Sequence, residues 1–231
     1  MLTQRSQEKE LLDLGPDYYT YQEFVHCQKM LFRVSKLFGF FEDTVRLLKK
    51  IPNNSTVLDV GCGAGLFILH LSRAFPLMTL VGTDISLSAI TLAQQTLEEW
   101  QKQSFPMNVS FKLQDSPEIH LPANSMDVIM TTMVCHHLND EALVGFMQRL
   151  LLGAKNAVII NDLHRHPIAE FLYAILSPIL FQNRLITHDG LISIRRGFTR
   201  SEWKILLDKA KIKNYTLKWR FPFRWSLILW K

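Results

Sequence analysis

Three glycines at alternate positions, Gly61, Gly63 and Gly65, follow a short apolar run and precede a segment of helical character. Glycine has no Cβ, so it adopts left-handed backbone conformations and lets a ligand approach the peptide N–H groups at a helix N-terminus. An acid, Asp59, stands two residues before the first glycine, and Cys62 lies between the first two. The pattern predicts a ligand cradle in the turn after a strand.

The spacing distinguishes this turn from two common nucleotide-binding loops. A dinucleotide fingerprint places its third glycine at position 66, where the chain has Leu66. A phosphate-binding P-loop ends in Gly-Lys-Ser or Gly-Lys-Thr, and neither sequence follows these glycines. The carboxylate of Asp59 would also repel a pyrophosphate. The turn therefore favours a ligand that combines a positive centre with hydroxyl groups.

The sequence Asp-Val-Gly-Cys-Gly-Ala-Gly over residues 59–65 resembles motif I of the class I S-adenosylmethionine-dependent methyltransferases. From Asn53 to Trp230 the chain is most similar to the small-molecule methyltransferases of the ubiquinone/menaquinone-biosynthesis type. The resemblance implies S-adenosyl-L-methionine as the cofactor and methyl transfer as the reaction. It also implies an α/β fold with a seven-stranded, Rossmann-like sheet, mostly parallel with an antiparallel C-terminal hairpin, and helices on both faces.

Strand patterns that alternate with helical ones independently favour a parallel sheet. Two period-2 segments at 215–221 and 223–229 predict a closing antiparallel hairpin. Residues 1–52 contain two predicted helices before the glycine motif, so we expect an N-terminal helical extension that caps a cofactor-binding domain of residues 53–231. Pro178 is expected to end or kink the helix that begins at Pro167, and Leu185–Phe198 is predicted to be irregular.

Ligands of an open parallel sheet bind at the carboxyl ends of its strands. Asp84 ends the second predicted strand, 19 positions after Gly65, where an acid usually accepts hydrogen bonds from ribose hydroxyls. Gln114-Asp115 resembles the family's adenine-binding motif, and Asp59 and the glycine backbone are implied to face the methionine part. The full set implied for the cofactor is Asp59, Gly61, Cys62, Gly63, Gly65, Asp84, Ile85, Gln114, Asp115, Ser116, Thr131 and Met133.

Histidines follow two neighbouring strands, His136 and His137 after the fourth and His164 and His166 after the fifth. Methyl transfer from a sulfonium needs alignment above all, and a base helps when the acceptor is a phenol of pKa about 10. We expect a constellation of His137, Asp162, His164 and His166 to supply that base, with His137 and His166 as the first candidates. The same histidines can instead contact the cofactor or position the loop. No metal site is predicted, because the spacing of these residues is not that of a ligand set.

Absent motifs narrow the choice of methyl acceptor. Thr-Thr-Met-Val at 131–134 stands where an amino-methylating nucleic-acid enzyme has Asp/Asn-Pro-Pro-aromatic, and Cys135 does not follow a proline. We therefore predict O- or C-methylation of a small hydrophobic, phenolic or quinone-like acceptor, with no nucleic-acid partner. The alternatives are a carboxyl or carrier-bound acyl acceptor held by Arg195 and Arg196, RNA or protein methylation, and a non-enzymatic cofactor-binding scaffold. Apolar side chains after the fifth strand are expected to wall the acceptor pocket: Phe171, Leu172, Tyr173, Leu180 and Phe181.

The composition limits the number of domains, the cellular location and the charged partners that we expect. The 231 residues suffice for one well-buried α/β domain. A polar start at Met1–Asp13 and three scattered cysteines favour the reducing cytoplasm. The net charge of +5 lacks a compact basic run, which leaves weak peripheral contact with an anionic membrane open. The oligomeric state is not predicted.

Overall fold

A computed structural model of the protein describes residues 4–103 and 107–231, so Met1–Thr3 of the polar start lie outside the described residues. Its centre is a seven-stranded sheet of order β3-β2-β1-β4-β5-β7-β6. The strands are β1 Thr56–Val60, β2 Thr79–Asp84, β3 Val109–Leu113, β4 Met126–Thr132, β5 Ala154–Leu163, β6 Tyr215–Arg220 and β7 Arg224–Trp230.

The helices connect the strands and cover both faces of the sheet. They are α1 Leu11–Leu14, α2 Tyr21–Leu37, α3 Glu42–Leu48, α4 Leu66–Ala74, α5 Leu87–Lys102, α6 Asp140–Gly153, α7 Pro167–Leu180, α8 Gly190–Arg196 and α9 Arg200–Lys209. Short 3-10 turns span Pro16–Tyr18 and Cys135–His137, and a π-helical turn spans Leu185–Asp189. In the part of the chain described, no helix combines the length and apolar character needed to cross a membrane.

The topology confirms the predicted sheet. Strands β1 to β5 pair in parallel, whereas β7 runs antiparallel to both β5 and β6. The chain order reverses between β1 and β4, which lie side by side. At such a reversal the connections leave to opposite sides, so a crevice opens at the carboxyl ends of these two strands.

Local sequence signals place the helices that matter for this crevice. Thr20 caps α2 by accepting a hydrogen bond from the backbone N–H of Glu23. The Glu23 carboxylate in turn accepts a hydrogen bond from the Thr20 N–H. Ser86 caps α5, since its Oγ accepts a hydrogen bond from the backbone N–H of Ala89. Gly65 stands at the start of α4 with φ +68°, where a Cβ would collide with the ring of Phe111. The glycine therefore allows α4 to pack closely on the sheet.

One expectation for the segment after β5 was wrong. Leu185–Phe198 is not irregular, because the π-helical turn and α8 occupy most of it. Asn183 accepts hydrogen bonds from the N–H groups of the residues that follow, and Asp189 accepts two more from the N-terminal segment. These bonds fix the helical turns, and the bonds to Asp189 are tertiary contacts that no local sequence pattern predicts. Helix α7 ends at Leu180, two residues beyond Pro178, and the kink expected at this proline stays a prediction.

Candidate active site

A cavity of about 1160 Å³ lies over the carboxyl ends of β1 and β4. One part of its wall is the glycine turn with Asp59 and Asp84, and another comes from α2, α7 and α8. Pockets for a single small ligand usually measure about 300–1,000 Å³. The cavity is therefore large enough for a cofactor and a second molecule together.

The glycine turn forms a hydrogen-bonded cradle on the end of β2. The N–H groups of Gly61 and Cys62 donate to Thr83 O at 2.8 and 3.0 Å. The N–H of Gly63 donates to Asp84 Oδ2 at 2.8 Å, and Ser86 N–H donates to Asp84 Oδ1 at 2.8 Å. The Asp84 carboxylate thus fixes the turn, while its remaining lone pairs are available to a ligand.

Asp59 supplies an unpartnered acceptor inside this cradle. Its side chain is buried and lines the cavity, and its Oδ1 has no hydrogen-bond partner among the described residues. Burial, together with the nearby charge of Asp84, raises the pKa of Asp59 well above its usual value. A buried carboxylate without a partner is costly unless a ligand compensates it. This donor set fits a molecule that brings a positive centre and hydroxyl groups.

Of the other residues implied for the cofactor, some line the cavity and others lie outside it. Ile85, Gln114 and Met133 line the cavity with the cradle. Asp115 and Ser116 are exposed and are not part of the cavity wall, so the adenine role of Asp115 stays a prediction. Thr131 is buried beneath the site, where its hydroxyl donates to Val60 O at 2.8 Å and ties β4 to β1.

His136 is a buried cation between two carboxylates. Its Nδ1 lies 2.7 Å from Asp162 Oδ1, and its Nε2 lies 3.4 Å from Glu10 Oε1. Burial alone would lower the pKa of His136, but Asp162 and Glu10 outweigh it and raise the pKa to about 9. The imidazole is therefore charged at neutral pH and unsuited to accept a proton there.

His137 also lines the cavity beside a supporting acid, and its ring is more exposed than that of His136. Its ring is partly exposed, and its Nδ1 lies 2.9 Å from Asp13 Oδ1. Asp13 also accepts from Arg196 Nη1 at 2.6 Å, and Arg196 donates onward to the backbone oxygens of His136 and His137. In the tautomer whose Nδ1–H donates to Asp13, the ring's lone pair is on Nε2, which lies 3.9 Å from Glu10 Oε2.

The predicted His/Asp constellation does not form around the cavity. Asp162 is fully buried and bonds His136 instead of His137. His164 and His166 are not among the cavity-lining residues. They pack against the aromatic rings of the β6–β7 end of the sheet.

Each of these two histidines has a structural partner. His164 Nδ1 accepts from Trp219 Nε1 at 3.1 Å, and burial with two neighbouring cations lowers the pKa of His164 to about 4. His166 caps α7, since its Nδ1 accepts from Ile168 N–H at 3.2 Å. The physical reason is that the backbone after β5 bonds Phe223 and Phe198 and so turns both rings toward the hairpin.

The arginine pair that could hold an acidic acceptor is already engaged. Arg195 donates to Glu170 at 2.6 Å and lies 3.6 Å from Glu8. Arg196 bonds Asp13 and the backbone beside the two histidines. Neither guanidinium is left to bind a carboxylate in the cavity.

Sequence reasoning missed the contribution of the N-terminal segment to the site. Glu10 and Asp13 reach His136 and His137 across more than 120 positions of sequence. Gln28 of α2 covers the cradle, where its Oε1 accepts from Ala64 N–H at 3.3 Å. No local pattern marks these three side chains, because their partners are distant in the chain.

Glu10, His136 and His137 also bring three possible metal-ligand atoms within 4.8 Å of one another. Glu10 accepts a hydrogen bond from Ser193 Oγ at 2.7 Å, and the neighbouring histidines lower its pKa against the effect of burial. Since the two carboxylates keep a proton on His136, we interpret the group as an ion-pair network.

Most of the predicted acceptor wall does line the cavity. Leu172, Tyr173, Leu180 and Phe181 contribute to it, whereas Phe171 points to solvent and is 64% exposed. The structure adds apolar residues from α2 and the preceding loop, among them Phe24 and Leu31. The half of the cavity away from the cradle is therefore mainly apolar.

Comparison with known proteins identifies the central part of the chain. Residues 57–153 match the sequence family described as "Methyltransferase domain". The chain contains a methyltransferase domain. The match agrees with the predicted methyltransferase function over this segment, and it covers the cradle, Asp84 and the two adjacent histidines.

Several individual proteins are similar to this chain. An uncharacterized methyltransferase of Schizosaccharomyces pombe is 30% identical over 96 residues, which are 41% of this chain and 34% of that protein. A ubiquinone biosynthesis O-methyltransferase of Coxiella burnetii is 28% identical over 171 residues, 71% of this chain and 70% of its own length. The chain spans only 34–38% of the length of the first curated relatives that it matches.

A solved structure confirms the fold over almost the whole chain. The S-adenosylmethionine-dependent methyltransferase of Aquifex aeolicus superposes with a TM-score of 0.65 at 18% identity, covering 92% of this chain and 98% of that one. At this identity the likeness concerns the arrangement of strands and helices.

Proposed function

We propose that the chain transfers the methyl group of S-adenosylmethionine to an oxygen or carbon of a small hydrophobic acceptor, of phenolic or quinone-like type. The observation that carries the proposal is the joined cavity, in which the polar cradle opens directly into a mainly apolar compartment. The 28% identity with a ubiquinone biosynthesis O-methyltransferase over most of both chains supports the same acceptor class.

The cradle would hold the cofactor, with Asp84 accepting from the ribose hydroxyls and Asp59 facing the positive methionine part. When bound, S-adenosylmethionine supplies a methyl group on a sulfonium that is already a good leaving group. The protein's task is then to bring the acceptor atom close to that methyl in line with the departing sulfur. The apolar wall excludes water and orients a flat or lipophilic acceptor.

His137 would take the proton from an acceptor hydroxyl. Its Nε2 carries the lone pair, and Asp13 holds the ring through Nδ1 at 2.9 Å. As the acceptor oxygen bonds to the methyl carbon, its proton would pass to Nε2, and positioned bases of this kind contribute about 10²–10⁴-fold to rate. Asp13 acts through His137 and is therefore a positioning residue.

The carboxyl-acceptor alternative loses its support in this geometry, since Arg195 and Arg196 are bonded to side chains and backbone of the chain itself. The alternative of RNA or protein methylation rested on the net charge of +5. The residues that line the cavity do not gather this positive charge near the cradle.

A methylation screen with labelled cofactor tests the proposal. The chain is incubated with phenols, quinols, fatty acids and RNA, and the label is expected in a phenol or quinol. Label found only in RNA or in protein would rule out the small-molecule acceptor.

The base assignment is tested with matched histidine variants on whichever phenol reacts. His137→Ala is expected to lower kcat by about 10²–10⁴-fold, while His166→Ala, which removes a cap outside the cavity, should retain most of kcat. Asp13→Asn should shift the pH profile of kcat because it changes the hydrogen bond to His137 Nδ1. Full kcat in His137→Ala would contradict the proposed role.

A further inference from the structure

The residues that line the cavity include acids but neither lysine nor arginine, within the part of the chain that the structure describes. Asp59 and Asp84 lie in the cradle, and the two lining histidines already face carboxylates of the N-terminal segment. S-adenosylmethionine, the cofactor proposed above, carries an ammonium, a sulfonium and a carboxylate. The two acids suit its positive groups and repel its carboxylate. That carboxylate therefore needs a donor other than lysine or arginine.

Two side-chain amides line the cavity among the described residues, and they differ in which of their atoms is engaged. Gln114 Nε2 donates to the backbone oxygen of Ser116. Gln28 uses its oxygen instead, since Oε1 accepts from Ala64 N–H at 3.3 Å, and its Nε2 has no partner among the described residues. Because a flipped amide would set its NH2 group against this N–H, the bond fixes which atom is the nitrogen. Gln28 therefore presents free N–H donors beside the glycine turn.

Gln28 is held against the glycine turn on the side where Gly63 has no side chain. A Cβ at position 63 would lie only 2.8 Å from Gln28 Oε1. Phe24 and Cys27, the buried residues of α2, precede Gln28 within about one helical turn, so the packing of α2 fixes the backbone that carries the amide. The donor is therefore placed by tertiary packing at the same turn to which Asp84 binds.

The start of α4 adds a second source of positive potential at this turn. Leu66 and Phe67 belong to the first turn of α4 and line the cavity. No side chain caps this helix, and the described residues offer no acceptor to the N–H groups of Leu66 and Phe67. Unpaired N–H groups at a helix N-terminus favour a negative charge. They follow closely on Ala64, whose N–H binds Gln28, so both kinds of donor serve one small region.

We infer that Gln28 binds the carboxylate of the cofactor's methionine end, which makes α2 selective for a cofactor that retains this group. The inference rests on the proposed cofactor and is independent of the acceptor. Gln28 Nε2 would donate to a carboxylate oxygen while Asp59 faces the ammonium, so the two charges of the amino-acid end meet opposite partners. A sulfonium ligand that lacks the carboxylate would lose the bond to Gln28 and keep its contacts with the cradle acids.

Calorimetric titration of the full chain with two sulfonium ligands tests the inference. The ligands are S-adenosylmethionine and decarboxylated S-adenosylmethionine, and the quantity compared is the ratio of their affinities. Gln28→Glu keeps a side-chain oxygen that can accept from Ala64 N–H, while a negative charge replaces the donor. We expect this variant to change the ratio by about tenfold or more against S-adenosylmethionine.

Two further variants separate this contact from other effects. Gln22→Glu adds the same charge at an exposed position of α2 that does not line the cavity, so its ratio should equal that of the parent chain. Gln28→Leu removes the donor without adding a charge, and it should change the ratio in the same direction by a smaller factor. Thermal unfolding checks that each variant folds.

An unchanged ratio in both Gln28 variants, with S-adenosylmethionine still bound, would overturn the inference and leave the proposed function standing. An equal change in Gln22→Glu and Gln28→Glu would overturn it as well, because the effect would then come from the added charge alone. If the parent chain binds neither ligand, the cofactor assignment fails, and both the inference and the proposed function fail with it.

Discussion

The two halves of the cavity are built in different ways. The cofactor half consists of one contiguous turn, residues 59–65, fastened to the end of β2 by Asp84. The acceptor half is assembled from the N-terminal segment, the turn after β4, α7 and α8, which are far apart in sequence. The first half depends on backbone conformation and local spacing, and the second depends on tertiary packing.

The two halves also differ in how their acidic side chains are paired. In the cofactor half two acids, Asp59 and Asp84, lie close together, neither forms a salt bridge with a described residue, and burial raises the pKa of each. In the acceptor half the acids beside the two histidines have basic partners, as Asp162 has His136 and Asp13 has Arg196. The acids of the cofactor half, which have no salt-bridge partner, are suited to receive a positively charged ligand. The paired acids of the acceptor half hold the N-terminal segment in place.

The largest expected effect concerns the buried pair of the acceptor half. Asp162→Ala leaves the His136 imidazolium buried beside Glu10 alone, so we expect the free energy of unfolding to fall by about 3–5 kcal/mol. Urea denaturation measures it. The control is His166→Ala, which removes a helix cap at a cost of about 1 kcal/mol. Equal effects of the two substitutions would mean that the buried pair does not hold this half together.

The second prediction concerns the pH dependence of stability. The pKa of His136 rises from 6.5 to about 9 on folding, so its contribution is fully present below pH 6.5 and is lost as the pH rises through 9. We expect the free energy of unfolding to decrease across this window, by at most about 3 kcal/mol from this group. Denaturation at a series of pH values should show the decrease in the parent chain and not in His136→Gln. A flat profile in the parent chain would contradict the buried cation.

A smaller effect is expected where the two halves touch. Gln28→Ala removes the acceptor that α2 places over Ala64 N–H, a hydrogen bond worth about 1 kcal/mol. Affinity for S-adenosylmethionine should fall about fivefold, as measured by calorimetry. Gln22→Ala, an exposed position of the same helix, serves as the control. If both variants bind alike, α2 does not support the cradle.

The fold and the cofactor half were largely predictable from sequence. The glycine spacing, the acid at the end of β2 and the closing hairpin are local patterns, and each lies where it was expected. The caps at Thr20 and Ser86 are local signals of the same kind.

The acceptor half was predictable only in part. Histidines after β4 and β5 were expected to converge, but the backbone bonds near Phe223 direct His164 and His166 to the hairpin. Glu10 and Asp13, which pair with His136 and His137, come from α1 and its flank, a short element whose position is fixed by tertiary bonds to Asp189. Such contacts leave no periodic pattern in a single sequence.

The most direct test of the account is calorimetric titration of S-adenosylmethionine into the full chain and into Asp84→Ala. We predict one binding site in the parent chain and an affinity about 10- to 100-fold lower in the variant, since hydrogen bonds to a charged carboxylate contribute about 1.5–3 kcal/mol. Asp208→Ala, an exposed acid on α9, should bind as the parent does. No binding by the parent chain, or unchanged affinity in Asp84→Ala, would contradict the cofactor cradle.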